Sequence, residues 1–550
     1  MSNTAKINNH DQSGIISVWL ANSLRRFYLA SPAEEYKPLL LEAARGERCS
    51  FQVVIRTGER PLTVCAEAHA IGDLPVEVRL AGYVPIRHLT METPLDDIEG
   101  AGFLPGYAPD PLLPVSLVQA GAHETHSFWI TVQVGTEVTP GRHTIMVIIR
   151  SGKLTPLSCE VTVLVHRAIL PPRRNFPVTQ WFYADALCDW YKVELFEEPF
   201  WKILKRYLSD LSLHGQDTVY VPAFTPSLDG VKRPTQLLDV QIEQGEYRFD
   251  WSMVAAWVKM ARECGLSRFE WPHLFTQWGA DRAIRIYEGR AENGNLLWPP
   301  ETGALSETYR RFLARYLSEL ERFLHLEKLT DCSFFHLSDE PHEDSHFINY
   351  RAARGMLREL APWMKITDAL SELKFAYEGL VDIPVPGVQH APDFVEKDFF
   401  AWAYFCCGPR GRYLNRFLDT PLLKLRMAGW LFFKLQARGF LHWGYNYWYR
   451  FQTTELIDPY AVTDGLAWPK IPPGDTFVVY PGTDGPVDSL RWEVFAESLQ
   501  DYTLLQAAAS DPNAPMLAGI HDYADFPRDV GWIAARRSKL LAELDKINMK

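Results

Sequence analysis

The pattern of apolar runs changes once along this chain, and sharply. From about residue 15 to 166 the runs are short and β-like, among them CSFQVVIR, THSFWITVQV, HTIMVIIR and CEVTVLVH, parted by Gly, Pro and charged turns. Period-two alternation with such frequent turns predicts an all-β sandwich. ILPPRRNFPVTQ then sets Pro171, Pro172 and Pro177 close together, a stiff stretch that marks a domain boundary.

Beyond it, β runs alternate with longer amphipathic helices. WFYAD (181–185), TVYVPAF (218–224), RFEWPHLF (268–275), SFFHLSDEP (333–341), MKITDAL (364–370), VDIPVPGV (381–388), FFAWAYFCC (399–407) and FLHWGYNYW (440–448) make eight candidate strands. The helical segments between them include EEPFWKILKRYLSDLSLHG and DWSMVAAWVKMARECG, each closed by Gly. Eight βα alternations predict a (β/α)8 TIM-type barrel. A doubly wound open sheet is the alternative, but no Gly-rich phosphate fingerprint follows the first strand. DTFVVYPG, then VDSLRWEVFAESLQDYTLLQAAA, adds a strand-helix extension, and a last helix runs from about Asp529. The 550 residues exceed one ordinary domain. The expected division is an N-terminal β-sandwich at 1–170, a catalytic barrel at 171–510 and a helical extension at 511–550.

A net charge of -12 without a basic stripe argues against nucleic acid or an anionic membrane as partner. No run is long enough to span a bilayer, and MSNTAKINNHDQSGIISVWLANSLRR lacks the make-up of a secretion signal. The eight cysteines are scattered without a CxxC pair, which fits reduced thiols in a cytoplasmic protein, and adjacent Cys406 and Cys407 read as strand packing.

In such a barrel the chemistry sits where the strands end. Those ends offer Tyr183 and Asp185, His273 with Gln277 and Trp278, Asp339 and Glu340, Asp368, His390, Trp402 with Tyr404, and Trp443, Tyr445, Asn446 and Trp448. Acids, amides and aromatics around one mouth are the make-up of a carbohydrate site. Each also has a structural reading: His273 as a hydrogen-bonded core histidine, Asp368 as a helix cap, the tryptophans of HWGYNYW as barrel closure. Capping of the helix near SHFINYRAARG accounts for one of Asp339 and Glu340 but less easily for two. His336 and Asp339 find no matching ligand pair, so no metal and no cofactor are expected.

The adjacency of the acids narrows the mechanism. An acid and a nucleophile that flank a scissile glycosidic bond come as a rule from different strands. Neighbours in sequence can work from one side if the substrate supplies its own nucleophile, the carbonyl oxygen of a 2-acetamido group. One acid then holds the acetamido N–H and stabilises the oxazolinium ion, while the other protonates the leaving oxygen.

FHLSDEP (335–341), WAYFCCGPRGRYLNRFLD (402–419), GFLHWGYNYW (439–448) and VVYPGTDGPVDSLRWEVFAESLQDYTLL (478–505) together resemble family 123 of the glycoside hydrolases, over nearly the whole chain. The resemblance implies a cofactor-free, retaining exo-β-N-acetylgalactosaminidase, which the missing signal and scattered cysteines make cytoplasmic. It places the oxazoline-stabilising carboxylate on Asp339 and the general acid and base on Glu340. By the same mechanism Tyr404 is the candidate to grip the acetamido oxygen, Trp443 and Trp448 the sugar platform, and Asn446, Tyr445, His273 and Gln277 the hydroxyl readers, with Trp402 at the same mouth. The expected partner is a small glycan ending in β-linked N-acetylgalactosamine, on a glycolipid or an oligosaccharide. Two rivals remain: a glycosidase of this fold acting on another β-hexosaminide or on a glycoside without an acetamido group, with Asp185 or Asp368 as nucleophile, and a carbohydrate-binding protein without turnover.

Overall fold

In the computed structural model the described residues are 14–72, 74–226, 233–290, 294–509 and 511–547. The first thirteen residues, part of the stretch read for a secretion signal, and Ser510, at the expected end of the barrel region, lie outside them.

The N-terminal β region is two five-stranded sheets. One places Arg48–Thr57 between Ile16–Asn22 and Thr125–Gln133 and continues through Val76–Ile86 to Gly106–Leu113, all antiparallel. In the other, Gly141–Arg150 pairs antiparallel with Leu62–Ile71 and Leu157–Ile169, and Leu157–Ile169 pairs parallel with Leu39–Arg45. The alternation does what a two-faced strand requires: Phe51, Val53 and Ile55 turn into the core with Ile145, Val147, Val161 and Val163 of the opposite sheet. Val54, of opposite parity, joins Trp19 and Phe27 on the outer face.

After the prolines the strands shorten and become parallel. Val178–Gln180 pairs with Phe440–His442, which pairs with Ala403–Tyr404. Thr218–Tyr220, Arg268–Glu270 and Ser333–Phe334 form a second parallel sheet, and Thr367–Ala369 with Ile383–Val385 a third. Single parallel bridges, Phe335 to Ile366 and Gly387 to Tyr404, connect the third sheet to its neighbours. The parallel ladder is thus broken into three pieces, most sheet pairing in the molecule is antiparallel, and a continuous (β/α)8 barrel is not shown. The physical reason is visible in the runs themselves: Pro222, Pro272 and Pro386 remove ladder donors just where the strands would extend, and Pro384 removes one inside Ile383–Val385. The helices fall in the segments read as helical, at Glu198–Leu213, Ser252–Glu263, Glu307–Glu327, Asp344–Leu360, Leu490–Ala507 and Val530–Ile547. DTFVVYPG is a strand only at Tyr480–Pro481.

The two halves are joined by buried charge. Arg491 donates to Asp110 at 2.9 Å with both side chains fully buried, and Tyr480 donates to the same carboxylate at 2.7 Å. Arg79 reaches Asp488 and Glu493, each at 2.5 Å, and Arg48 reaches Glu493 at 2.5 Å. Arg537 of the last helix bridges Glu47 of the sandwich and Asp501.

Candidate active site

The pocket at the ends of the parallel strands is lined by Trp181, Gln277, Trp278, Asp339, Glu340, Ala369, Tyr404, Cys406, Cys407, Leu441, Trp443, Phe451, Lys470 and Ile471. Asp339 and Glu340 both face it.

The loop that presents them is built from below. His336, just past the strand Ser333–Phe334, lies between two carboxylates, with Nε2 donating to Glu270 at 2.6 Å and Nδ1 to Asp368 at 3.2 Å. Burial works against its charge, but the hydrogen bonds to Asp368 and Glu270 prevail and raise its pKa to about 10. Asp368 also accepts from Tyr350 at 2.5 Å and from the backbone N–H groups of Leu337 and Ser338. A carboxylate with these partners is a brace for the turn, fully buried, and does not line the pocket. The backbone of the acid pair is pinned as well, Glu340 N–H donating to the Ala369 carbonyl at 2.9 Å and Trp278 N–H to the Asp339 carbonyl at 2.8 Å. Glu340 sits at φ 43°, in the left-handed region, directly before Pro341. A strained backbone at such a point persists only where its surroundings hold it.

The side chains of the pair have different partners. Gln277 Nε2 donates to Asp339 Oδ2 at 2.9 Å, and the Tyr404 hydroxyl donates to Glu340 Oε1 at 2.7 Å. Burial, and then the charge of Glu340, hold the Tyr404 pKa well above that of a free phenol, so its proton stays available for donation. The helix that follows begins at Asp344 with Glu343 at its cap, so neither acid of the pair lies in its first turn. Two indoles are braced by acids beneath them: Trp181 Nε1 donates to Glu270 at 2.8 Å and Trp443 Nε1 to Asp475 at 3.0 Å. Burial raises the Asp475 carboxyl to about 7 against the nearby Arg416.

Of the residues singled out in the sequence, Asp339, Glu340, Gln277, Trp278, Tyr404 and Trp443 come together around this pocket. The others do not line it. His273 is buried, stacked on His336 at 4.3 Å and kept neutral first by burial and then by the His336 charge. Tyr445 is fully buried and donates to Asp210 at 2.5 Å. Asn446 is folded onto the backbone of Tyr183, accepting from its N–H and donating to its carbonyl. Trp448, fully buried, donates to the Val479 carbonyl, and Trp402 packs edge-on against Phe334. Asp185 lies in the first turn of the helix Ala184–Tyr191, away from the pocket lining. Trp181, Cys406, Cys407, Phe451, Lys470 and Ile471 are additions of the structure. Trp181 opens WFYAD and was within reach of the strand-end rule, whereas Phe451, Lys470 and Ile471 come from loops with no periodic signal.

His273, His336 and Asp368 offer ligand atoms within 4.8 Å of one another. Their geometry does not suit a metal, because ring lone pairs lie in the ring planes and the two imidazoles are stacked 21° from parallel, while both His336 nitrogens already face carboxylates.

The comparisons with known proteins define the class first. The family model described as the catalytic domain of glycoside hydrolase 123 matches residues 181–508, more than half of the chain, so this is a glycoside hydrolase. The chain belongs to glycoside hydrolase family 123. A family 123 glycoside hydrolase from Clostridium perfringens, studied for glycolipid glycan hydrolysis, shares the fold at 14% identity and a TM-score of 0.74, with 97% of this chain and 98% of that one covered. A xyloglucanase of Bacteroides ovatus (10% identity, TM-score 0.30, 88% and 100% covered) and a β-D-glucuronidase of Dictyoglomus thermophilum (9%, 0.32, 89% and 68%) are too distant to inform the site. No curated protein matches the chain. Among the described residues no helix is long and apolar enough to cross a membrane.

Proposed function

We propose that this glycoside hydrolase is a retaining exo-β-N-acetylgalactosaminidase that uses the 2-acetamido group of its substrate as nucleophile. The observation that carries the reading is the adjacent pair Asp339 and Glu340, both lining one pocket and each held by its own neutral donor, Gln277 and Tyr404. Asp339, oriented by Gln277, takes the acetamido N–H and offsets the positive charge that develops on the oxazolinium ring. Glu340 protonates the departing oxygen and then removes a proton from the water that opens the ring, giving net retention. Tyr404, whose hydroxyl donates to Glu340, is the group that grips the acetamido oxygen. Trp443 and Trp181, each braced by an acid, form the apolar walls against which the sugar packs.

The same reading takes the eight short parallel segments as one interrupted (β/α)8 barrel within 171–510, set between a sandwich at 1–170 and a helical extension at 511–550. The eight cysteines are all free thiols, as a reducing cytoplasm keeps them. The glycan class taken by the clostridial relative makes a terminal β-N-acetylgalactosaminyl glycolipid or oligosaccharide the first substrate to try. Asp368, committed to His336, Tyr350 and two backbone N–H groups, is a poor nucleophile for the rival direct displacement.

The test is a set of aryl glycosides differing only at the 2- and 4-positions, with a thiazoline mimic of the oxazoline as inhibitor. Turnover of the 2-acetamido galactoside with inhibition by the thiazoline is expected. Turnover of a plain galactoside, unaffected by the thiazoline, would overturn the mechanism, and preference for the glucosamine epimer would overturn the specificity.

A further inference from the structure

Trp278 is the residue of this pocket whose exposure most needs an explanation. It is 41% exposed, whereas Trp181 is 5% exposed and Trp443 half-buried. Among the described residues no aromatic ring packs against it. Its backbone, by contrast, is tightly determined. Trp278, Gly279 and Ala280 have φ of 57°, 115° and 54°, three consecutive residues in a region where a bulky side chain is strained. A Cβ on Gly279 would come within 2.4 Å of the His346 ring, so the turn is pressed onto the helix Asp344–Leu360 and only glycine fits there. Gly279 and Ala280 are buried, and the Trp278 N–H is bonded to the carbonyl of Asp339. The fold therefore holds a large apolar ring in water, at a fixed place, one hydrogen bond from the acid pair.

We propose that Trp278 is the platform for the group on the far side of the cleaved bond, a specificity-determining residue for the leaving group; this rests on the glycosidase reading above. The inner indoles, Trp181 and Trp443, surround the site of the reacting sugar, and Trp278 is left for the next unit outward. Its occupant is a hexose ring presenting its C–H face, the chemistry that indole faces receive. Phe451 and Lys470, the latter with its ammonium 5.0 Å from the Phe451 ring centroid, line the same pocket and leave its outer part mixed apolar and polar, as a pyranose requires.

The experiment compares W278A and W278F with the wild type on two donors that share the reacting sugar. One is a disaccharide with a hexose leaving group, and the other is the corresponding glycosyl fluoride, whose leaving group has no ring. For W278A, kcat/KM on the disaccharide is expected to fall at least tenfold more than on the fluoride, W278F is expected to recover most of it, and the thiazoline, which fills only the reacting-sugar site, should keep its affinity within twofold. Equal losses on both donors with weakened thiazoline binding would overturn the proposal in favour of a positioning role through Asp339, and no change on either donor would overturn it outright. A wild type that cleaves neither donor and ignores the thiazoline would instead bring down the substrate reading, and the proposal with it.

Discussion

Two groups of acids in this molecule make an instructive pair. At the seam between the sandwich and the helical part, Asp210, Asp488 and Glu493 surround His214, and Arg48 and Arg79 complete the group. In the pocket, Asp339 and Glu340 are held by an amide and a phenol. The seam acids are matched by cations, which fixes them and leaves little for an incoming ligand. A hydrogen bond from a neutral donor orients a carboxylate without neutralising it, and a hydroxyl can change partner. The two groups differ in the partners described for them more than in burial, since Asp339 is itself only 4% exposed.

The sharpest way to break this contrast is to change the pocket acids without changing their shape. For Glu340→Gln, kcat/KM on a glycoside with a poor leaving group is expected to fall about 10²–10⁴-fold, the usual contribution of a general acid, and much less on an activated aryl glycoside. Asp339→Asn should reduce both, because in the proposed mechanism the oxazolinium charge develops whatever the leaving group is. Equal and small losses in the two variants would place these acids with the structural group, and ligand binding without turnover would favour the carbohydrate-binding rival.

At the seam the expected loss is in stability. Arg491→Ala leaves Asp110 buried without its cation, and removing one partner of a buried pair costs about 3–5 kcal/mol. Denaturant unfolding monitored by intrinsic fluorescence measures this, and the kcat of the protein that remains folded should match the wild type.

His214 adds a pH dependence to the seam. Burial opposes its charge, but the carboxylates of Asp210 and Asp488 outweigh both that and the repulsion from Arg48, raising its pKa to about 10. A folded pKa above the unfolded value of about 6.5 means that the stabilisation is complete below that pH and is lost as pH rises through the folded value. Wild-type stability is accordingly expected to decline from about pH 6.5 toward pH 10, and His214→Gln should be less stable at neutral pH with a flatter profile. A variant that declines as steeply as the wild type would remove His214 from this account.

The sequence carries the sandwich and the pocket acids for the same reason: both follow from short-range rules. Alternation marks Phe51, Val53 and Ile55 as facing the core, and polar residues that end an apolar run mark Asp339, Glu340 and Tyr404. The rule fails past the strand Phe440–His442, where Trp443 reaches the pocket but Tyr445, Asn446 and Trp448 turn into the interior. Once a strand has ended, its period no longer says which way a side chain points, and an aromatic serves a core as well as a platform. Lys470 and Ile471 come from a loop whose place depends on distant partners, the Lys470 carbonyl accepting from Arg410 and Trp468 of the same loop stacking on His88 of the sandwich. Long-range packing of that kind leaves no local pattern. Cys406 and Cys407, read as strand packing, lie beyond the short strand Ala403–Tyr404 and line the pocket.

The smallest expected effect bears on the residue where the two acid groups come closest in sequence reading. Tyr445 has the composition and strand-end position of a sugar contact, yet its hydroxyl is spent on Asp210, which also accepts from Trp492 at 3.0 Å and pairs with His214. Tyr445→Phe removes one hydrogen bond to a charged acceptor and keeps the ring against Phe182 and Tyr207. A loss of about 1.5–3 kcal/mol is the ceiling for such a bond, and Asp210's remaining partners should keep the result near the lower end. Affinity for the thiazoline and kcat on aryl glycosides should be unchanged. If affinity falls while stability does not, Tyr445 belongs with the pocket, and the line drawn here between acids held by cations and acids held by neutral donors would have to be redrawn around it.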